Sequence, residues 1–471
     1  THNQAAMEAA VPCDAAATCA ATGQQGHAGK ALFIANILDK STHNNHAFRT
    51  GYELLPGKRA LEWRTGDLAR LRFVEILCRK LAQLKNESED EAIDDEECSY
   101  KDADFAASRG FLTVVRTLRE HGIHCISRGA NTAAGNGHLE LVRDLRANGI
   151  DCTKEGADAA AKNGHLEVVR ELLDHDICCT VRGANGAAES GHLQILYILR
   201  DHEIHCTEEG ANLAAGNGHL EVVRDLRAHG IHCSTLGADQ AAKCGHLAVI
   251  RDLRAHDILC TAKGADWAAE HGQLEVIREL RADGIHCTSN GADQAASNGH
   301  LDVVRDLRAN GIQCSSTGAN WAAVYGHLEV VSDLRANGIR VTGDGKFVTV
   351  RGYLEVIRDL LAHGFQFSCY GANLAAENGH INVVRELRAH GIDCSSAGAD
   401  KAAEAGHLEI VRDLREHGVH CTTHGANQAA VRGHLEVVRD LRGHDIHCTE
   451  AGADGAAANG HVHVIRDLRA Y

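Results

Sequence analysis

One short segment recurs about fourteen times and occupies most of this 471-residue chain. Its typical form is G-A-(N/D)-x-A-A-x-x-G-H-L-E-V-V-R-D-L-R-A-x-G-I-x-C-T-x-x. The spacing of successive copies is constant, as from His138 to His165, except for one step that is a single residue shorter, between His327 and Tyr353. Self-similarity at such a period is typical of solenoids, in which each unit buries its apolar face only against its neighbours. The sequence therefore predicts an all-α solenoid of about fourteen stacked helix-turn-helix repeats over 100–471.

The copy that spans 129–155 indicates how one unit folds. Ala133 and Ala134 lie on one face of a short first helix, where small side chains let neighbouring helices approach closely. Gly137 ends that helix, because glycine tolerates the left-handed conformation of a helix stop. Apolar residues then recur at helical spacing from Leu139 to Leu145, which predicts a second helix.

The region before the repeats has three parts. Residues 1–29 are rich in Ala, Gln and Gly without an apolar stripe, which predicts a disordered segment. Residues 30–86 carry periodic apolar positions and are expected to form a helical N-terminal cap or a small docking module. Residues 87–99 are acidic and predict a solvated linker.

Charge and hydropathy argue against several classes of binding partner. The net charge of −16 argues against nucleic acid and against an anionic membrane surface, because both attract basic patches. No apolar run approaches the roughly 20 residues of a membrane helix. No signal-peptide pattern opens the chain. We therefore expect a protein partner, no nucleic acid, no membrane and no small-molecule substrate.

The cysteines also carry information about the compartment. Eleven of the eighteen occupy one repeat position, as Cys152 and Cys179 do. Neighbouring copies stacked at about 8–10 Å are too far apart for a disulfide, which needs Cα atoms within roughly 7 Å. The sequence thus predicts free thiols in a reducing compartment, the cytoplasm with the nucleus as an alternative.

One histidine and one cysteine recur at fixed positions of the repeat, and we call these two series the histidine and cysteine ladders. Both residue types raise the question of a metal site or a catalytic site. Consecutive ladder histidines lie about one repeat apart, whereas zinc needs several ligands within roughly 2.0–2.3 Å of one ion. A Cys-His nucleophile pair would need a cleft and an orienting third group, which no copy supplies. We interpret the histidines as structural, bonded to backbone between units, and the cysteines as small buried apolar residues. No cofactor, metal site or enzymatic activity is expected.

The positions that vary between copies are the candidate binding surface. They form a stripe along the first helices, and aromatic residues, which are enriched at binding hot spots, fall into nearby repeats. The alternative, that the tryptophans only fill gaps between Ala-rich helices, has equal weight. The predicted protein-binding residues are Gln240, Trp267, His271, Gln294, Trp321, Tyr325, Leu374 and Lys401.

One copy is irregular. Residues 341–353 lose one position, and Val348-Thr349 replace the Ala pair. The larger β-branched side chains predict a kink or weak joint between about nine regular repeats and four. Sequence drift and a functional hinge or docking notch both remain open as explanations.

The repeat resembles the ankyrin repeat. The stretch A-A-x-x-G-H-L-E-V-V carries the likeness, for example at Ala160-Ala161 with 164–169 and again at 429–438. The family's repeat is about 33 residues long, with a Thr-Pro-Leu-His opening and a β-hairpin finger, and both features are absent here. The resemblance therefore implies a short, finger-less ankyrin-like array, and the family's usual binding surface is not carried over.

The function expected from these patterns is a non-catalytic scaffold that binds a protein partner along the first helices. The alternative is an adaptor or effector, in which residues 30–86 recruit a machine such as a ubiquitin ligase and the repeats select the target.

Overall fold

The computed structural model describes residues 100–120 and 122–470. The predictions for 1–29, 30–86 and 87–99 concern residues outside this part of the chain. Within it, 28 helices form fourteen helix-turn-helix repeats, and no strand is present. The predicted all-α repeat solenoid is therefore confirmed.

The odd-numbered helices are the first helices of the repeats: α1 Tyr100–Ser108, α3 Ser127–Gly135, α5 Lys154–Lys162, α7 Val181–Glu189, α9 Glu208–Gly216, α11 Thr235–Cys244, α13 Ala262–Glu270, α15 Ser289–Ser297, α17 Ser316–Val324, α19 Lys346–Arg351, α21 Cys369–Glu377, α23 Ser396–Glu404, α25 Thr423–Val431 and α27 Glu450–Ala458.

The even-numbered helices are the second helices: α2 Leu112–Glu120, α4 Leu139–Ala147, α6 Leu166–Leu173, α8 Leu193–Asp201, α10 Leu220–Ala228, α12 Leu247–Arg254, α14 Leu274–Ala282, α16 Leu301–Ala309, α18 Leu328–Ala336, α20 Leu354–Ala362, α22 Ile381–Ala389, α24 Leu408–Glu416, α26 Leu435–Arg442 and α28 Val462–Arg469.

The chain divides into two compact units. The first runs to Ala211 and includes Arg224–Ile231, and the second holds Asn212–Val223 and His232–Tyr471. In each unit the first helices pack against the first helices of adjacent repeats, and the second helices pack against second helices. No described helix is long and apolar enough to cross a membrane.

The core of each repeat follows from its sequence. The Ala pair of the first helix is fully buried, as at Ala268 and Ala269, and this lets neighbouring helices approach closely. The second helix buries its apolar stripe, as at Val276, Ile277 and Leu280, each no more than 2% exposed. At about 25 cal/mol per Å² of apolar surface, this repeated burial is the main stabilising term. A single repeat cannot supply it without its neighbours.

The irregular repeat is shortened rather than broken. Its first helix α19 has 6 residues where the neighbouring first helices α17 and α21 have 9. Val348 and Thr349 are buried in place of the Ala pair, with 2% and 0% of their surface exposed. A kink at this joint stays a prediction.

Candidate functional site on the first helices

Several first helices begin at a cap that also links two repeats. The hydroxyl oxygen of Thr261 accepts a hydrogen bond from the backbone N–H of Lys263, which satisfies a free donor of the helix start. The carboxylate of Asp266 accepts bonds from the backbone N–H and the hydroxyl of Thr288 in the next repeat, both at 2.7 Å. These bonds fix the rotation of the helix, so the same positions of successive helices face solvent.

Five of the eight exposed aromatic side chains of the described residues are concentrated in three consecutive repeats. We call this set the aromatic strip, and its members belong to helices α17, α19 and α21 or, for Tyr353, to the turn that follows α19. Their exposed fractions are 46% for Trp321, 42% for Tyr325, 59% for Phe347, 41% for Tyr353 and 57% for Tyr370.

The strip is ordered by contacts among its own members and their neighbours. The rings of Trp321 and Tyr325, one turn apart on α17, are stacked with centroids 5.7 Å apart and an interplanar angle of 20°. Tyr353 occupies the ladder position of histidine, and its ring covers Gly326, the residue next to Tyr325. The flat faces of these rings are therefore presented on a fixed scaffold.

Trp267 lies on the same face of an earlier repeat but in a different setting. It is half-buried, and two lysine side chains approach its ring. The Nζ atom of Lys263 lies 4.5 Å from the ring centroid and that of Lys243 lies 6.0 Å away. Both distances are within the range of cation–π attraction. This tryptophan packs against its neighbours, yet it holds two cations at the surface.

The remaining predicted residues are not equivalent to each other. His271 is exposed, and its Nδ1 bonds the carbonyl of Trp267 at 3.0 Å. Gln240 and Gln294 are half-buried, and their Oε1 atoms are enclosed without a hydrogen-bond partner. Leu374 is half-buried. Lys401 is exposed and pairs with Glu404 at 2.8 Å. A role of these residues in binding stays a prediction.

Sequence reasoning did not assign Phe347, Tyr353 and Tyr370 to the binding surface. Phe347 takes the same place in its repeat as Trp321, but the deleted residue hides this alignment. Allowing for that deletion when counting one repeat onward from Trp321 would have found it. Tyr370 lies in the first turn of α21, outside the variable positions from which the binding surface was predicted.

Cations occur on this face although the chain as a whole is acidic. Four cations lie on or beside it, from α11 to α19: Lys243, Lys263, Lys346 and Arg351. The Nζ atom of Lys346 is 5.1 Å from the ring of Phe347. By contrast, many carboxylates of the second helices are held in ion pairs with arginines, as Asp306 is with Arg281 at 2.6 Å.

The two ladders have structural roles in the described repeats. Several ladder histidines bond backbone carbonyls of the preceding repeat, as predicted, for example His380 Nε2 to Val350 O at 2.8 Å. The ladder thiols are free, and Cys287 donates to the carbonyl of Ala265 at 3.2 Å. Burial raises the pKa of the Cys287 thiol to about 12, so it stays neutral and is a poor nucleophile. No group of three or more potential metal ligands is found in 100–120 and 122–470.

Comparisons with known proteins find helical-repeat structures. No family model and no curated protein matches the chain. It is similar to the crystal structure of the pentatricopeptide repeat protein PPR10 from maize, with 12% identity, a TM-score of 0.32 and coverage of 98% of this chain and 88% of that chain. PPR10 in complex with an 18-nt psaJ RNA element matches with 11% identity, a TM-score of 0.27 and coverage of 95% and 87%. The chain is a helical-repeat protein. These comparisons do not identify its repeats as ankyrin repeats.

These comparisons correct two expectations. The chain was expected to bind a protein partner and no nucleic acid, whereas the similar structures are of a repeat protein that was solved with bound RNA. The expectation of no nucleic acid was argued from the net charge, which is a sum over the whole chain. It does not describe a face on which lysines and exposed aromatic rings occur together.

Proposed function

We propose that this repeat array is a non-catalytic scaffold that binds single-stranded RNA along the aromatic strip and the face that leads to it from α11 and α13. The proposal rests on one observation of this chain: five exposed aromatic side chains occupy three consecutive repeats. Every base offers a flat face, and stacking on an aromatic side chain contributes about 1–3 kcal/mol per base.

The strip is suited to unpaired bases rather than to a duplex. Trp321 and Tyr325 present nearly parallel rings at 5.7 Å, so one base can stack on the outer ring and the next can follow along the strip. Bases within a duplex are already stacked on each other, and their faces are not available to protein side chains. Selection for single strands follows from this geometry.

The cations supply the second element of such a surface. Lys346 beside Phe347, and Lys243 and Lys263 beside Trp267, place positive charge next to the rings. A phosphate backbone that follows the stacked bases would pass these ammonium groups. The same face also carries Glu270 and Glu377, so base stacking supplies more of the affinity than charge.

The test is the binding of fluorescently labelled single-stranded RNA to the full chain, followed by fluorescence anisotropy. The probe is a pool of random sequences about 20 nucleotides long, which covers unknown sequence preference. Trp321→Ala removes one stacking platform, so we expect affinity to fall roughly 5- to 150-fold, which corresponds to about 1–3 kcal/mol.

The matched control is Tyr197→Ala. Tyr197 is 44% exposed, close to the 46% of Trp321, and the Cζ atom of Arg200 lies 5.2 Å from its ring centroid. It belongs to the second helix α8, outside the proposed surface. Its replacement is expected to leave binding unchanged, and a duplex of the same length is expected to bind weakly. Equal loss in both variants, or no binding of single strands, would refute the proposal.

Two further points are also proposals. A kinship of the repeat with ankyrin repeats is supported by the motif at Ala160-Ala161 and 164–169. A reducing location such as the cytoplasm is supported by the unpaired thiols of the described repeats.

A further inference from the structure

The irregular repeat contains a cavity with a volume of about 490 Å³. It lies between the C-terminal halves of α18 and α20 and the loops that follow them, on the side of the second helices. Small-molecule sites in proteins typically have volumes of about 300–1,000 Å³. The cavity is thus large enough for a compact organic ligand.

The cavity lies where the repeat loses one residue and carries three aromatic or aliphatic replacements. Val341 and Phe367 stand where other repeats have the ladder cysteine, and Phe365 stands where they have isoleucine. The rings of Phe365 and Phe367 pack edge to face with centroids 4.8 Å apart. A Cβ atom on Gly345 would lie 2.5 Å from the Phe367 ring, so the loop passes over these rings only as glycine.

The floor of the cavity is apolar. Val331 and Leu360 line it from the two second helices, and 2% and 4% of their surfaces are exposed. The half-buried side chains of Val341 and Phe365 offer the apolar surface that a ligand can reach. A flat hydrocarbon body that enters the cavity would bury apolar surface at about 25 cal/mol per Å².

The rim of the cavity is basic. Two of its lining residues are arginines, Arg335 and Arg340, a third is His363, and none is acidic. This is unusual in a chain with a net charge of −16. Arg335 is bound to Asp359, and His363 Nδ1 bonds the carbonyl of the same residue at 2.7 Å.

Arg340 is the cation that is available to a ligand. It lies in the loop after α18, is exposed, and forms no ion pair with a described residue. We propose that this cavity binds a small organic anion, with its apolar ring on Val341 and Phe365 and its acidic group on Arg340. The proposal is independent of RNA binding, because the aromatic strip belongs to the side of the first helices.

The probe for the test is 8-anilinonaphthalene-1-sulfonate, a fluorescent aromatic anion, titrated against the full chain. Its uncharged analogue N-phenyl-1-naphthylamine reports on the apolar floor alone. We expect one site for the anion. Ala336→Trp fills the cavity mouth and should abolish binding of both probes. Arg340→Ala should weaken the anion at least about tenfold and leave the uncharged analogue unchanged.

The preceding regular repeat provides matched controls. Ala309→Trp and Gln313→Ala change the corresponding positions one repeat earlier and should leave both probes unaffected. Circular dichroism checks that each variant is folded. Anion binding that persists in Ala336→Trp, or is absent from the wild type, would overturn the site. An Arg340→Ala variant that binds the anion as tightly as the wild type would overturn its assignment to anions.

Discussion

At the scale of the residue, the glycine of each Gly-His step limits how closely two repeats approach. Gly137 has a φ of 79°, which an L-residue rarely adopts. A Cβ atom on it would lie 2.5 Å from the ring of His165 in the next repeat. Two separate physical constraints, backbone conformation and contact across the repeat boundary, therefore act on one position.

The two constraints can be separated by mutation. Gly149 has nearly the same φ, 78°, but a Cβ there would meet no atom within 4 Å. Gly149→Ala should cost about 1–2 kcal/mol, the penalty of the left-handed conformation. Gly137→Ala should cost clearly more, because His165 must also move. Urea unfolding followed by circular dichroism measures both values, and equal losses would show that the contact with the histidine is unimportant.

The ladder histidines should make stability depend on pH. Burial lowers the pKa of His138, His246, His327 and His434 below the ordinary 6.5. The folded chain thus favours the neutral rings. Their contribution to stability is complete above pH 6.5 and is lost as the pH falls from 6.5 through the lowered values.

Replacing these four histidines by glutamine tests this dependence. Gln273 already occupies a ladder position, so the side chain fits the same space. The wild type should lose stability between pH 7.5 and 5.5, as measured by the urea midpoint. The fourfold variant should lose less over the same interval. A variant as sensitive to pH as the wild type would mean that other groups are responsible.

At the scale of the element, arginine–carboxylate bridges link successive second helices. Asp306 on α16 accepts from Arg278 Nε at 3.1 Å and from Arg281 at 2.6 Å, both on α14. Burial acts to raise the pKa of Asp306, but hydrogen bonds from Arg281 and Arg278 outweigh it and hold the pKa below its usual value. The bridge therefore stabilises the fold at neutral pH and is lost as the pH falls through that lowered pKa.

Removing this bridge should be more costly than removing an exposed one. We expect Asp306→Ala to lower the free energy of unfolding by about 1.5–3 kcal/mol, the range for hydrogen bonds to charged groups. Glu275→Ala is the matched control, because Glu275 pairs with the same Arg278 at 3.0 Å but is 71% exposed. It should cost less than about 0.5 kcal/mol. Similar costs in urea unfolding would contradict the importance of the bridge.

At the scale of the whole molecule, the acidic chain limits how RNA can be held. Only four cations, Lys243, Lys263, Lys346 and Arg351, lie on the proposed face. Single strands lose affinity with a slope of about −0.7 per neutralised phosphate in a plot of log K against log salt. We therefore expect a slope no steeper than about −3, measured by anisotropy between roughly 0.05 and 0.4 M salt. A much steeper slope would show that cations outside the face also bind phosphates.

The sequence by itself determined the period, the helix pairs and the residues that fill each repeat. Every position of the repeat has the same neighbours in copy after copy, so Ala268, Leu280 and Cys287 could be assigned to the core from spacing alone. The backbone bonds of the ladder histidines followed from the same regularity, as His380 illustrates.

Only the tertiary structure decided the candidate sites. Phe347 and Tyr353 occupy regular repeat positions that the deleted residue obscures, Tyr370 lies in the first turn of its helix, and packing brings them onto one exposed face with Trp321 and Tyr325. Net charge could not predict this face, because it is a sum over the whole chain and carries no information on where the charges lie. The cavity at Arg340 likewise arises where the repeat departs from its period. A repeating pattern predicts what copies share, whereas a site depends on where side chains of different copies meet in space.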